Sequence, residues 1–325
     1  MRIFTILLWL IGIALMLGLV VIQGFGKVAE ALVQSGWGLL AMVAYSVIPF
    51  SASAICWWIL LGAAGRPSFV SVCWIRWVGT SANSLLPVAQ VGGELLRVRL
   101  ASLRGSRSSE AGASVIVDVT LAIASQSIFV ILGIAFFIYY YGFGETAHAA
   151  IGGISLFLLC VMGFYIAQRW GMFSRLAQRI EKIVKVANWQ SVTGGAKALD
   201  TALDKLYQKK RDLFYAVFWR MMGVFLGTGQ ILIGLHFLGH PIGIIEAIML
   251  ESMTHAVRNA VFFIPGALGV QEGGFMVLGT ALGLGPETGL ALALLVRART
   301  LLFGIPALLL WQIVESQQLL RTRSN

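Results

Sequence analysis

The sequence predicts an all-α fold: a polytopic membrane helical bundle with two inverted repeats, each containing a broken, re-entrant helix pair. Three observations carry this. The 325 residues are 58% hydrophobic and 12% charged, with a mean hydropathy of +0.85, a balance foreign to soluble domains of this size. Six apolar runs approach or exceed the roughly 20 residues that cross a hydrocarbon core. Two interrupted segments, one in each half, carry matching polar motifs.

In chain order the full spans are Ile3 to Ile22, Trp37 to Leu61, Ser114 to Tyr139, Ala149 to Ile166, Leu213 to Leu238 and Leu290 to Trp311. The first lacks a small-residue cleavage site and is read as a retained helix rather than a leader. The whole chain is expected to form one integral membrane domain, with repeat one at about 69–139 and repeat two at about 242–314. Glycine, at 37 residues, is abundant inside the apolar runs, where small residues let helix backbones approach; Gly223 and Gly227 have the GxxxG spacing of tight packing. Cys56, Cys73 and Cys160 lie in apolar runs without metal-ligand spacing, so they read as packing residues and no metal or cofactor is expected.

The net charge of +10 is unevenly placed, and Lys/Arg bias in short loops orients membrane helices. Residues 169–212 hold Arg169, Arg175, Arg179, Lys182, Lys185, Lys197, Lys205, Lys209, Lys210 and Arg211 against four acids, which places that connection in the cytoplasm. Counting outward from it puts both termini and the Arg97 to Arg107 cluster on the same side, while the Lys/Arg-free stretch Tyr141 to His148 falls outside. Parity holds only if 69–107 enters and leaves on the cytoplasmic side and 242–285 on the outer side. Pairs of full helices would satisfy that parity as well as re-entrant hairpins; the prolines and glycine pairs, which interrupt a continuous helix, favour re-entrance. Phe173, Leu176, Ile180, Ile183 and Val184 recur at helical spacing, the pattern of either a helix lying on the anionic inner leaflet or a solvated connector. Nothing resembles a nucleic-acid module.

The motifs themselves are Asn83 with Pro87 leading to Gly92, Gly93 and Glu94, and Asn259 with Pro265 leading to Gln271, Glu272, Gly273 and Gly274. Paired interrupted segments at corresponding positions point to the binding site of repeat-built transporters. Broken helices expose unpaired backbone groups that can hold a charged group, and glycine permits close approach. A plain buried helix turn is the structural alternative.

Ionisable groups at membrane depth are expensive and face the bundle interior by default. Glu251, His255, Arg258 and Asn259 fall at i, i+4, i+7 and i+8, one polar stripe suited to line a cavity or to form an internal hydrogen-bond ladder. Arg97 and Asp118 in the first half, and Arg297 and Arg299 in the second, complete a balanced set in which acids and bases are expected to pair across the halves. Asp118 lies 25 residues after Gly93, and Arg297 and Arg299 lie 23 and 25 after Gly274, so each long helix carries charge at similar depth. Arg99, Arg220 and Glu246, near span boundaries, are read as structural ion pairs or snorkelling groups.

The stretch Asn83-Ser-Leu-Leu-Pro-Val-Ala-Gln-Val-Gly-Gly-Glu94, the stretch Pro265-Gly-Ala-Leu-Gly-Val-Gln-Glu-Gly-Gly274 and Leu295-Val-Arg-Ala-Arg299 resemble the transmembrane domain of the lysylphosphatidylglycerol synthase and flippase-like family. Within that family the chain looks most like the subgroup associated with hopanoid biosynthesis. In bifunctional members a soluble C-terminal domain performs aminoacyl transfer; the resemblance here covers the membrane portion, which it associates with moving lipids. The family's first long helix often opens with a Glu-Arg pair, whereas this chain reads Ser114-Val-Ile-Val-Asp118, so no family role transfers to Asp118. The resemblance implies a bacterial inner-membrane protein with both termini cytoplasmic that moves a polar or hopanoid-type lipid and is not an enzyme. Its partners would be membrane lipids, the anionic inner-leaflet surface, and lipid-synthesis proteins or further copies of itself. A non-catalytic scaffold is the competing expectation. An intramembrane enzyme using His255 with Glu251 or Glu272 is a third, although no GxSxG or HExxH element is present.

Overall fold

The computed structural model describes residues 33, 36–62, 65–86, 91–142, 162, 163, 165, 166, 168, 170, 175, 189–260 and 270–324. Among them it is all-helical, with nine helices: α1 Gly38–Leu60, α2 Phe69–Leu85, α3 Gly92–Ser102, α4 Ser108–Tyr141, α5 Trp189–Gln208, α6 Lys210–Phe237, α7 Ile244–Ala260, α8 Val270–Ala281 and α9 Pro286–Ser324. Four of them, α1, α4, α6 and the Pro286–Gln317 part of α9, are long and apolar enough to cross a membrane, and they coincide with four of the six spans expected from sequence. The other two expected spans, Ile3 to Ile22 and almost all of Ala149 to Ile166, lie outside the described residues, as does nearly all of the amphipathic stretch Phe173 to Val184.

Helices α2, α3 and α4 have 17, 11 and 34 residues, and α7, α8 and α9 have 17, 12 and 39. The same short, shorter, long order thus recurs. At ~1.5 Å rise per residue, α2 and α7 reach about 26 Å and α3 and α8 about 17 Å, short of a ~30 Å hydrocarbon core. These are the interrupted segments that Pro87 and Pro265 announced; both prolines fall between the described helices.

The chain divides into two compact units, whose bounds differ from those of the repeats expected from sequence. One comprises the described residues within Met1–Ile48, Trp74–Leu96 and Leu226–Asn325; the other those within Pro49–Cys73 and Arg97–Phe225. In the first unit, Leu39 and Met42 of α1 join Ala82 and Leu85 of α2 and Leu295, Ala298, Leu301 and Leu308 of α9 in one core cluster. The Trp77 indole N–H donates to the Phe303 carbonyl at 2.8 Å, and a side chain at Gly304 would meet Leu85 at 2.7 Å, so α2 lies close along α9. A neighbouring cluster joins Ile231 and Leu235 of α6, Ala247 and Leu250 of α7, Phe275 of α8, and Leu292 and Ala293 of α9.

The second unit is built on Cys56 and Leu60 of α1, Ala113 and Val117 of α4, and Ala202, Leu203, Leu206 and Tyr207 of α5. Leu199, Ala202, Leu203, Leu206 and Tyr207 recur every three or four residues, a helical face, and that face is packed inward. The end of the basic connection thus packs one apolar face into this core, while the stretch Phe173 to Val184 lies outside the described residues. The Tyr207 hydroxyl donates to Gln168 Oε1 at 2.7 Å, and Gln168 Nε2 to Thr120 Oγ1 at 3.0 Å, a buried polar chain whose donors are used. Ser46, Ser102, Thr120, Ser127, Thr254 and Thr300 each donate to the carbonyl one turn earlier, which satisfies hydroxyls that lipid could not.

Candidate functional site

The polar stripe of α7 is one wall of a cavity inside the first unit. Glu251, Thr254, His255 and Arg258 line it, with Gln230 and Ile231 from α6, Gln271 and Phe275 from α8, and Val296 and Arg299 from α9; its volume is about 70 Å³. The spacing explains the convergence. Glu251, Thr254, His255 and Arg258 fall at i, i+3, i+4 and i+7, Gln271 and Phe275 at i and i+4, and Val296 and Arg299 at i and i+3, so each set shares one helix face. Glycine makes the room: a side chain at Gly227 of α6 would meet Glu251 Oε1 at 2.9 Å. Half of the expected GxxxG pair thus serves this carboxylate. The other half, Gly223, lies against the Pro49 carbonyl and Ser53 of α1 in the second unit.

Charge in the site is paired, but incompletely. His255 Nε2 stands 3.6 Å from Glu251 Oε1. Arg297 donates to Glu272 in a short ion pair, both groups largely buried. Arg258 lies within electrostatic reach of Glu251 and Arg297, and Arg299 within reach of Arg258 and Glu251. Three guanidiniums therefore gather with two carboxylates. Arg299 Nε and Glu251 Oε2 are buried without a hydrogen-bond partner among the described residues. Unused donors and acceptors around a small polar space, with a surplus of one positive charge when His255 is neutral, suit an anionic or zwitterionic group.

The first motif is arranged differently. Asn83 Oδ1 accepts the Gly93 backbone N–H at 2.8 Å and its Nδ2 donates to Glu94 Oε1 at 3.1 Å, so a side chain of α2 caps the orphan donors that open α3. A side chain at Gly93 would collide with the Gly79 carbonyl and with Asn83. Here the glycine admits the protein's own backbone. At Gly273, by contrast, an added side chain would meet nothing within 4 Å, and at Gly274 only Val257 at 3.5 Å. The second glycine pair borders open space among the described residues. Asn259 is the penultimate residue of α7, and Pro265 and Pro87 lie outside the described residues.

Arg97 and Asp118 belong to the second unit, in a buried triad that lines no part of the cavity. Asp118 Oδ2 accepts from Arg97 at 2.7 Å and Oδ1 from Arg220 at 2.8 Å, with the Asp118 side chain fully buried. Arg220 also donates to the Asp118 carbonyl at 2.9 Å, Cys56 Sγ approaches Oδ1 at 3.6 Å, and Arg97 stacks over Trp57 at 4.2 Å. The Arg220–Asp118 pair joins the two halves of the sequence, as expected of the balanced charges; Arg97–Asp118, Glu251–His255 and Glu272–Arg297 each stay within one half.

Of the expected site residues, then, Glu251, His255, Arg258, Gln271 and Arg299 line one cavity, with Glu272, Arg297, Gly273 and Gly274 beside it. Asn83, Gly92, Gly93 and Glu94 form a capped turn, and Arg97 and Asp118 a buried ion triad. Sequence reasoning passed over Gln230 and Thr254. Gln230 was detectable as an amide inside an apolar span, and Thr254 as a member of the stripe already noticed. No curated protein and no solved structure matches the chain. Its residues 9–307 match the family described as the lysylphosphatidylglycerol synthase TM region, and a chain matched over that length, with membrane-spanning helices around a polar site, is a member of that family of lipid-handling membrane proteins.

Proposed function

We propose that the protein is a non-enzymatic lipid translocase that carries a polar lipid across or out of the bacterial inner membrane. The headgroup is sheltered by the cavity of α6, α7, α8 and α9 while the tails stay in the bilayer. The observation that carries the reading is the surplus guanidinium there: Arg299 has a buried Nε without a partner among the described residues, beside Arg258 and Glu251, at membrane depth where an unpaired charge is costly. A phosphate or similar headgroup would complete the set.

Supporting this, the recurrence of the 17, 11, 34 and 17, 12, 39 residue helix triplets fits internal repeats. The charge bias argues that they are inverted, with re-entrant pairs entering from opposite faces and both termini cytoplasmic. A volume of about 70 Å³ is space for a couple of water molecules at ~30 Å³ each, so passage of a headgroup requires α7 and α8 to move away from α9. No GxxxxGK[ST] element is present, and the driving force is then the lipid's own gradient, an ion gradient or a partner. The resemblance to the hopanoid-associated subgroup nominates a polar hopanoid as cargo.

The test is reconstitution into liposomes containing labelled polar lipids, hopanoids among them, with a membrane-impermeant quencher reporting the outer leaflet. Leaflet exchange above that of empty vesicles is expected for at least one class. No exchange across phospholipids, glycolipids and polar hopanoids would overturn the reading.

A further inference from the structure

The second unit carries a separate basic groove that the translocation reading does not use. It is lined by Ile59, Gly62, Arg66, Arg211, Asp212, Tyr215 and Trp219 and encloses about 320 Å³. Its walls come from the end of α1 and the start of α6, two candidate spans, so it lies at the level where both helices leave the apolar layer. Trp58, Tyr215 and Trp219, with exposed Phe214 and Phe218 beside them, are the residues that anchor a helix at a membrane boundary.

Arg66 is held in place by its loop. Gly62 and Gly65 both have φ 69°, where a side chain would be strained. The Gly65 carbonyl accepts from Ser106 Oγ at 3.2 Å, and Ser68 Oγ accepts the Ser71 N–H at 3.3 Å at the start of α2. Arg66 Cζ lies 3.5 Å from the Trp58 ring centroid, and one Nη donates weakly to the Trp58 carbonyl at 3.5 Å, which leaves the other guanidinium donors for the groove. Arg211 Cζ stands 5.9 Å from the Tyr215 ring, and Lys209 Nζ is 3.5 Å from where a Gly62 side chain would begin. Neither Arg66 nor Arg211 forms a salt bridge with Asp212 or another acid among the described residues. Three cations thus face one acid. Lys210 and Arg211 moreover occupy the first turn of α6, the positive end of its dipole, where cations are unfavourable and an anion would be stabilised.

We infer that this groove binds the phosphate of an anionic phospholipid from the leaflet that the Lys/Arg-rich connection faces. The two guanidiniums clamp the phosphate oxygens, and Ile59 and Trp219 accept the glycerol and upper acyl carbons. The site shares no residue with the cavity around Arg299 and does not depend on transport.

A photoreactive phosphatidylglycerol, incorporated with the full-length protein in liposomes and mapped by peptide mass spectrometry, tests the inference. Label is expected on the segments holding Arg66 and Tyr215 to Trp219, falling about tenfold in R66Q or R211Q and about a hundredfold in the double variant. It should persist in R299Q, and return in part in the R66K/R211K protein, which keeps the charge without the fork and reports folding. Unchanged labelling of these segments in the R66Q/R211Q protein overturns the inference. So does competition by millimolar inorganic phosphate as effective as that by unlabelled phosphatidylglycerol, which would make the groove a site for free phosphate.

Discussion

Replacing Arg299 by Gln should abolish transport without unfolding the protein, and the magnitudes follow from what surrounds it. Arg299 lies near one like charge, Arg258, and one opposite charge, Glu251, and its Nε bonds to nothing among the described residues. Removing the charge deletes one repulsion and one attraction of similar size, so the net change in stability should stay within ~1 kcal/mol. Cargo feels a larger loss. A hydrogen bond to a charged group contributes about 1.5–3 kcal/mol, and 1.4 kcal/mol is a factor of ten, so flux at sub-saturating lipid should fall roughly 10- to 150-fold. The assay is initial leaflet-exchange rate in proteoliposomes matched for folded protein by gel filtration and thermal midpoint. An Arg299→Gln protein of normal thermal midpoint that transports at more than half the wild-type rate would show that the surplus charge is not the headgroup contact.

Arg297→Gln should behave differently: it strips Glu272 of its ion-pair partner and should lower stability by about 3–5 kcal/mol, read as a reduced thermal midpoint before any transport is measured. Asp118→Asn removes the charge paired with Arg97 and Arg220 and one of the two acceptor oxygens they use and should cost a similar ~3–5 kcal/mol, visible as lost membrane yield; normal yield would mean that the triad is dispensable. Gly93→Ala should destabilise by overpacking against the Gly79 carbonyl, by about 1–3 kcal/mol, whereas Gly273→Ala, with no described atom within 4 Å of the added carbon, should fold normally and slow transport. Equal thermal midpoints for the two glycine variants would refute that contrast. Leu203→Ala, at a fully buried position of α5, should cost about 2–5 kcal/mol, measurable as increased protease sensitivity between Trp189 and Gln208.

The apolar spans were legible because an unbroken apolar run one bilayer thick finds its lowest free energy in a bilayer, and α1, α4, α6 and α9 fall where Trp37, Ser114, Leu213 and Leu290 begin the runs. The stripe from Glu251 to Arg258 was legible by the same logic of period: four polar residues on one face of an apolar helix need a polar neighbour. What the letters could not convey was which partner each charge chooses. Asp118 could have faced a headgroup; instead two arginines, one 21 residues before it and one 102 residues after it, converge on it, and long-range choice of this kind depends on packing that no local pattern encodes. The inward face of α5 lay within reach of the sequence. Its Leu199, Ala202, Leu203, Leu206 and Tyr207 have core periodicity, but the lysines interleaved with them mask it in a segment whose net charge points to the membrane surface.

The two motifs look alike in sequence, yet their surroundings among the described residues differ. In the first, Asn83 commits both ends of its amide to Gly93 and Glu94, Gly93 is closed against backbone, and the acid on the following long helix, Asp118, is enclosed by two guanidiniums. Each side chain named there bonds to another group of the protein. In the second, the charge on the long helix is reversed. Arg297 satisfies Glu272, and that leaves Arg258 and Arg299 to share Glu251 with His255. The reversal is what creates the surplus, because an acid in the place of Arg297 would repel Glu272 and draw Arg258 and Arg299 into internal pairs. On these grounds we propose that the first of the two expected repeats is the anchored copy and the second the working one. An Arg297→Glu substitution combined with Glu272→Arg, which restores the pair with its sense exchanged, should retain transport, whereas either change alone should not.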